Sequence, residues 1–121
     1  MTKKILIVDD EPDLLDVTTF RLKKNGYHVL TAIDGQAALT IIEKEMPDLV
    51  LLDLRLPVMN GQEVCKKIKA DPKLKNIAVI IFTASAGGDV AQKVKALGAD
   101  DYLIKPFDSE EMLDKIANLL N

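Results

Sequence analysis

The sequence predicts an α/β fold: a five-stranded parallel sheet covered by helices on both faces, in three layers. Three observations predict it. Five short apolar runs alternate along the chain with five stretches of helical periodicity. The runs at residues 5–8, 49–52 and 77–82 are continuously apolar, as strands buried on both faces are. Each connection is long enough to hold a crossover helix, which parallel neighbours need. The 121 residues, 48% of them hydrophobic, read as one domain spanning 1–121 with its own aliphatic core.

The elements follow in order. Lys4-Ile5-Leu6-Ile7-Val8-Asp9 is the first strand, ended by Asp9-Asp10-Glu11-Pro12. Pro12 suits the first turn of a helix, and the acids before it suit a helix N-terminus. That helix runs to about Asn25, and Gly26 stops it. Tyr27 to Ala32 is less apolar, as an edge strand is. Asp34 caps a helix from Gly35 to Glu45, with Ala38, Ile41 and Ile42 turned inward. Asp48 to Asp53 is the third strand, followed by the turn signals Pro57 and Asn60-Gly61. A helix from Gly61 to Ala70 has Val64 and Ile68 one turn apart and ends at Asp71-Pro72. Ile77 to Phe82, closed by Thr83, is the fourth strand. Ala84-Ser85-Ala86-Gly87-Gly88 is small and loose, able to rearrange at low cost. The next helix carries Val90, Val94 and Leu97 on one face and stops at Gly98. Asp101-Tyr102-Leu103-Ile104 is the last strand. Asp108, with Glu111 three residues on, has the pattern of a capping box for a final helix. Met112, Ile116, Leu119 and Leu120 of that helix face inward.

Composition excludes several function classes. A formal net charge of −3, 4% aromatics and no basic run argue against nucleic-acid binding. Cys65 is the one cysteine, so it closes no internal disulfide, and it reads as a small packing residue of a helix. No Cys/His spacing suits zinc. His28, the one histidine, reads as a solvent-facing structural residue. The apolar run Ile5 to Val8 is too short for a signal peptide, and no run approaches a bilayer span. A cytoplasmic protein with no membrane partner is expected.

In an open parallel sheet, ligands bind outside the carboxyl ends of the strands, near the point where strand order reverses. The first strand ends in Asp9-Asp10, the third in Asp53, the fourth in Thr83 and the fifth in Lys105. The alternation of strands and helices brings these distant residues to one edge. Three carboxylates in one crevice repel unless a cation joins them. Oxygen ligands in a wet crevice suit Mg²⁺, which keeps several waters and accepts a phosphate oxygen. A carboxylate nucleophile, an ammonium, a hydroxyl and a hard cation are the parts needed to move a phosphoryl group onto Asp53. Each residue alone has an ordinary reading: Asp9 and Asp10 as caps, Lys105 as a solvated lysine, Thr83 as a strand residue. Their joint placement at the strand ends carries the signal.

Five segments complete the pattern: Ile7-Val8-Asp9-Asp10-Glu11, Asp53 with Leu56-Pro57 and Met59-Asn60-Gly61, Phe82-Thr83-Ala84, Gly98-Ala99-Asp101-Tyr102, and Lys105-Pro106-Phe107. Together they resemble the receiver domain of bacterial two-component response regulators, and the match covers essentially the whole chain. The chemotaxis-regulator-like, single-domain type is the one it resembles. The resemblance implies a flavodoxin-like doubly wound sheet of strand order 2-1-3-4-5. It implies that Asp53 is the phosphoacceptor, assisted by Lys105 and Thr83. Mg²⁺ would be bound by Asp10 and Asp53 directly, by the backbone carbonyl of Arg55, and by Asp9 through water. A cis peptide bond before Pro106 is also implied, and proline alone tolerates cis cheaply.

The same resemblance implies a switch and its partners. Phosphorylation would draw the Thr83 hydroxyl inward, and Tyr102 would turn into the space left. The face made by the fourth helix, fifth strand and fifth helix would then change shape. The phosphodonor would be a sensor histidine kinase or a phosphotransfer protein, docking on the first helix and the loop after the fifth strand. The downstream protein target is open, and so is the choice between a monomer and a dimer formed on phosphorylation. Arg55 and Ser85 beside the site are neither acids nor amides that could position a water, so slow loss of the phosphoryl group is expected.

Two enzyme-like or carrier alternatives fit poorly. A haloacid-dehalogenase-type, Mg²⁺-dependent aspartyl-phosphate hydrolase has a second acid two positions after its nucleophile, where this chain has Arg55. A flavin carrier on this fold needs a phosphate loop after the first strand, where Asp9-Asp10-Glu11 would repel it. A signalling switch rather than a turnover enzyme is expected. For output, a stand-alone regulator or phosphorelay carrier is the favoured reading. The alternative is a receiver cut from a longer transcriptional or enzymatic regulator.

Overall fold

Side chains alternate across each strand, and this alternation sorts the helices onto two faces. The computed structural model describes residues 2–84 and 89–121. Its elements are β1 (Lys4–Val8), α1 (Pro12–Lys24), β2 (His28–Ala32), α2 (Gly35–Glu45) and β3 (Leu49–Asp53), followed by α3 (Gly61–Ala70), β4 (Ala78–Thr83), α4 (Val90–Leu97), β5 (Asp101–Ile104) and α5 (Ser109–Leu120). Every strand pairing is parallel, and the order is β2-β1-β3-β4-β5. This is the flavodoxin-like doubly wound sheet the resemblance implied. The loose segment expected around residues 85–88 lies outside the described residues.

Leu6, Val8, Val50, Leu52, Val79 and Ile81 face one side of the sheet, where α2, α3 and α4 cover them. Ile5, Ile7, Leu49, Leu51, Ile80 and Phe82 face the other, under α1 and α5. Two cores therefore follow from the period of two along three strands. Every residue of β3 is buried, so the strand that carries Asp53 is the stiffest part of the sheet. The edge strand β2 exposes His28. Chain order reverses between β1 and β3, which opens a crevice at their carboxyl ends.

The helix ends account for most boundaries. Asp34 caps α2 by accepting from the Ala37 N–H, and Asn60 caps α3 by accepting from the Glu63 N–H. Gly98 ends α4 in the left-handed region at φ 78. β2, β3 and β4 each begin one residue later than the sequence suggests. The Tyr27 N–H turns back to Leu22 O, and the Ile77 N–H turns back to Leu74 O, so neither joins a ladder there. The capping box at α5 is only half made. Asp108 accepts from the Glu110 N–H at 3.2 Å, while the Glu111 carboxylate lies 4.0 Å from the Lys115 ammonium one turn on. Among the described residues, no helix is long and apolar enough to cross a membrane.

Candidate functional site

Two aspartates at neighbouring strand ends are bent into the same shape. Asp9 follows β1, and its Oδ1 accepts from the Glu11 N–H at 2.8 Å. Asp53 ends β3, and its Oδ1 accepts from the Arg55 N–H at 3.0 Å. In each, the side chain bonds the backbone two residues on, a turn that fixes the carboxylate plane. The free oxygen of each then points at one ammonium. Lys105 Nζ lies 2.7 Å from Asp9 Oδ2 and 3.0 Å from Asp53 Oδ2. Lys105 follows β5, so three strand ends meet in this one group. The acids before α1 therefore serve the site; Glu11, the N-cap residue, makes no side-chain cap bond.

Burial sets the electrostatics. Asp9 is 0% exposed, Asp53 6% and Thr83 7%. Asp10, beside them, is exposed. Burial raises the Asp53 carboxyl above its ordinary value of 3.8; the Arg55 N–H and Lys105 pull it down, and the charge on Asp9 pushes it up again. Burial also works to discharge Lys105, but its hydrogen bonds to Asp9 and Asp53 outweigh this, so its pKa lies above 10.5. Both directions fit one picture, in which a single ammonium serves two carboxylates and leaves one negative charge over.

Asp9, Asp10 and Asp53 can each offer an oxygen with all three within 4.8 Å of one another. Three hard oxygen donors beside an open, wet cleft fit a magnesium ion, which binds few carboxylates and keeps waters. Both Asp9 oxygens are already engaged, by Glu11 N–H and by Lys105, while Asp10 is free to turn toward an ion. Receiver domains as a family bind Mg²⁺ at such an acidic pocket, and the donor set here is of that kind.

The cleft beside the acids has a volume of about 560 Å³. Asp10, Arg55, Asn60, Gln62, Thr83 and Lys93 supply its polar lining. The structure thus gathers Asp9, Asp10, Asp53 and Lys105, and sets Thr83 and Arg55 in the same cleft. The bond between Lys105 and Pro106 is cis, as the resemblance implied. Tyr102 stands apart from the acids. On β5 it pairs with Ile81 of β4, is half-buried, and has the Lys115 ammonium 5.2 Å from its ring centre.

Some functional neighbours escaped the sequence reading. Glu11 Oε1 lies 3.5 Å from Lys105, and the Phe82 ring centre lies 5.0 Å from it. Phe82 meets Phe107 edge-on, with ring centres 6.0 Å apart, so the ring under the ammonium is braced by a second aromatic. Nothing in the spacing marked Lys93, which lies off the apolar face of α4. Asn60 was read only as a turn residue, although an Asn three before a Glu is also an N-cap signal. Cys65 is buried, donates weakly to Leu97 O at 3.5 Å, and has its thiol pushed up to about 11 by burial. It is an inert packing residue, as expected.

Comparison with known proteins agrees with this geometry. A family model described as the response regulator receiver domain matches residues 5–117. A probable transcriptional regulator, ycf27, of Cyanophora paradoxa is 44% identical over 98% of this chain and 48% of its own length. The DNA-binding regulator RpaA of a Synechocystis strain is 40% identical over 97% of this chain and 48% of its own length. This chain spans about half the length of these curated relatives. Among solved structures, a putative response regulator of Chloroflexus aurantiacus superposes with a TM-score of 0.94 at 32% identity, covering 99% of this chain and 98% of that one. The chemotaxis response regulator CheY4 of Vibrio cholerae gives 0.92 at 32% identity, covering 99% and 100%. With its sheet order, its strand-end acids and a family match over nearly its whole length, the chain belongs to the response regulator receiver domains of two-component systems.

Proposed function

We propose that 1–121 is one receiver domain whose Asp53 accepts a phosphoryl group from a phosphohistidine of a sensor kinase or phosphotransfer protein. One observation carries this reading: the Lys105 ammonium shared between Asp9 and Asp53 at 2.7 and 3.0 Å. It marks where charge on a transferred group would be met. Asp53 sits on the rigid end of β3 with one oxygen fixed by the Arg55 N–H, so little motion separates it from attack. A carboxylate oxygen of Asp53 attacks phosphorus, the bond from phosphorus to nitrogen breaks, and the electron pair stays on the imidazole. Lys105 neutralises one phosphoryl oxygen, and the Thr83 hydroxyl donates to another. Asp10, Asp53 and the backbone carbonyl of Arg55 would hold Mg²⁺, with Asp9 acting through water. The bound ion supplies the positive charge that joins the acids and the phosphoryl oxygens.

The donor protein would dock on the groove between α1 and the segment after β5. Leu14, Val17, Phe107 and Met112 line this groove, whose volume is about 320 Å³. Thr83, drawn toward the phosphoryl group, and Tyr102, turning after it, would pass the change to the α4-β5-α5 face. The family is one of signalling proteins rather than turnover enzymes. The test is intact mass after incubation with Mg²⁺ and acetyl phosphate. One phosphoryl adduct is expected, absent without the metal and absent in Asp53→Asn. An adduct that survives in Asp53→Asn overturns the assignment.

A second reading concerns output. The similar ycf27 and RpaA proteins are named as transcriptional regulators, of which this chain spans about half. This favours control of transcription over a stand-alone regulator that docks on a protein target. Sedimentation of the phosphorylated and unphosphorylated protein separates the two. A dimer formed on phosphorylation supports the first, and a persistent monomer supports the second.

A further inference from the structure

The core is aliphatic, and among the described residues Phe82 is the one buried aromatic. It is 1% exposed and lies with isoleucines, leucines and a methionine on the face under α1 and α5. In the sheet it stands between Asp53 of β3 and Leu103 of β5. Its ring centre lies 5.0 Å from the Lys105 ammonium, and Phe107 meets the ring edge-on. The face of an aromatic ring is negative, and it attracts a cation most where water is excluded. The ammonium has use for such a support. Lysine presents a point charge on a flexible four-carbon stem, with no plane of its own to orient it. Asp9 and Asp53 attract it at 2.7 and 3.0 Å, while Glu11 competes at 3.5 Å from a side chain that is 64% exposed. Carboxylates alone would let the charge settle on any one of them. A ring held by packing attracts the ammonium from a fixed place and cancels none of its charge.

We propose that Phe82 is a positioning residue whose ring face holds the Lys105 ammonium between Asp9 and Asp53, where it meets the transferred phosphoryl group. The inference rests on Asp53 being the phosphoacceptor. Phe82 acts through Lys105 rather than on the phosphoryl group itself. Its neighbours fit it for this. Phe82 and Asp53 are partners in the β3-β4 ladder, so the platform and the acceptor belong to one rigid piece of sheet. Phe107 lies two residues after Lys105, so the segment that carries the lysine also braces the ring beneath it. An aliphatic side chain at position 82 would fill the same core and leave the ammonium without that attraction. Lys105 would then spend more of its time on a single carboxylate, and less of its charge would reach a phosphoryl oxygen at the moment of transfer.

The test replaces Phe82, and no other phenylalanine, with mono-, di- and trifluorinated phenylalanine. Fluorine leaves the shape and apolar character of the ring nearly unchanged and draws negative charge off its face. A ring that only fills space is therefore indifferent to the series. The rate of phosphoryl adduct formation with acetyl phosphate and Mg²⁺ is read by intact mass. It is expected to fall stepwise with each fluorine, by about fivefold in the trifluorinated protein, as loss of a desolvated cation–π contact allows. The same series made in Lys105→Met is expected to be flat, because the cation that senses the ring is gone. Rates that stay level along the first series, or that fall as much with Lys105→Met in place, overturn the inference and leave the Asp53 assignment intact. An unmodified protein that takes no phosphoryl group overturns both.

Discussion

A Cβ added to Gly61 would overlap the backbone oxygen of Asp53. The first residue of α3 thus presses against the last residue of β3, and the Gly61 N–H donates to Leu54 O at 3.0 Å in the same contact. Only a residue without a side chain lets the helix start there. Gly35, at the start of α2, meets the backbone oxygen of Met59 in the same way. Two helix starts therefore grip the segment that follows the acceptor strand. Gly61→Ala is expected to cost about 2–4 kcal/mol, because backbone rather than a flexible side chain must give way. Urea unfolding reads the cost, and labelling with acetyl phosphate reads the displacement of Asp53. An unchanged midpoint would show that the contact relaxes without effect.

The raised pKa of Asp53 sets a pH dependence. The folded protein holds this proton more readily than the unfolded chain, whose carboxyl titrates near 3.8. The ionised form therefore costs stability at neutral pH, and the cost is relieved as pH falls through the folded pKa. Asp53→Asn removes the charge while keeping an oxygen for the Arg55 N–H. It is expected to raise the stability of the metal-free protein at pH 7 by about 1–2 kcal/mol and to flatten the pH profile above 3.8. Adding Mg²⁺ should stabilise the wild type more than the variant, since the ion binds where the excess charge lies. Urea titrations with and without a chelator check both statements. A metal-free variant no more stable than the wild type would remove the charge argument.

Lys105 has the opposite sign. Its folded pKa is raised above 10.5, so its contribution is fully present below that value and is lost as pH rises through the folded pKa. At pH 7, Lys105→Met leaves the buried Asp9 and Asp53 side by side without a counter-ion. A loss of about 2–4 kcal/mol is expected, partly restored by Mg²⁺. Phosphorylation by acetyl phosphate is expected to persist, while binding of the partner to the phosphorylated form weakens. Equal partner affinity in the variant and the wild type would count against Lys105 as the link between phosphate and output.

The acids were legible because each buried strand must end somewhere, and a charge after an apolar run marks the place. Asp9, Asp53 and Lys105 all end such runs, so their meeting followed from the alternation alone. Lys93 was not legible, because its place at the cleft depends on how α4 is rotated over the sheet, and the spacing of Val90, Val94 and Leu97 shows only which side faces inward. The expected box at α5 failed for a different reason. Glu111 stands three residues after Asp108 and four before Lys115, and both spacings are favourable. Only the structure shows that Glu111 leans toward the lysine.

Val58 is another feature that no pattern announced. Its φ is 68, in the left-handed region, and its side chain is 82% exposed. The Met59 N–H closes a tight turn on Pro57 O at 2.7 Å around it. A β-branched residue there carries strain that no burial offsets. Val58→Asn, and more so Val58→Gly, is expected to stabilise the domain by about 1 kcal/mol. The measurement is the urea midpoint, with the Ala variant as reference for lost side-chain contacts. A destabilised Val58→Asn would mean that the valine side chain contributes contacts outweighing its backbone strain.

Lys115 closes the outer edge of the sheet. Its ammonium donates to Asp101 Oδ1 at 2.9 Å and to the backbone oxygen of Tyr102 at 2.8 Å, and lies over the Tyr102 ring. One side chain of α5 thus holds both the backbone and the ring of the residue expected to turn during switching. β5 is an edge strand, so the Tyr102 carbonyl it satisfies would otherwise face solvent. Lys115→Met keeps the stem and removes all three interactions. Amide exchange at residues 101–104 should quicken by about fivefold, corresponding to about 1 kcal/mol of local opening, with little change at β3. If exchange at the edge and at β3 rose together, the lysine would be a general stabiliser. Quickening confined to β5 would identify it as the latch that Tyr102 must work against when it moves.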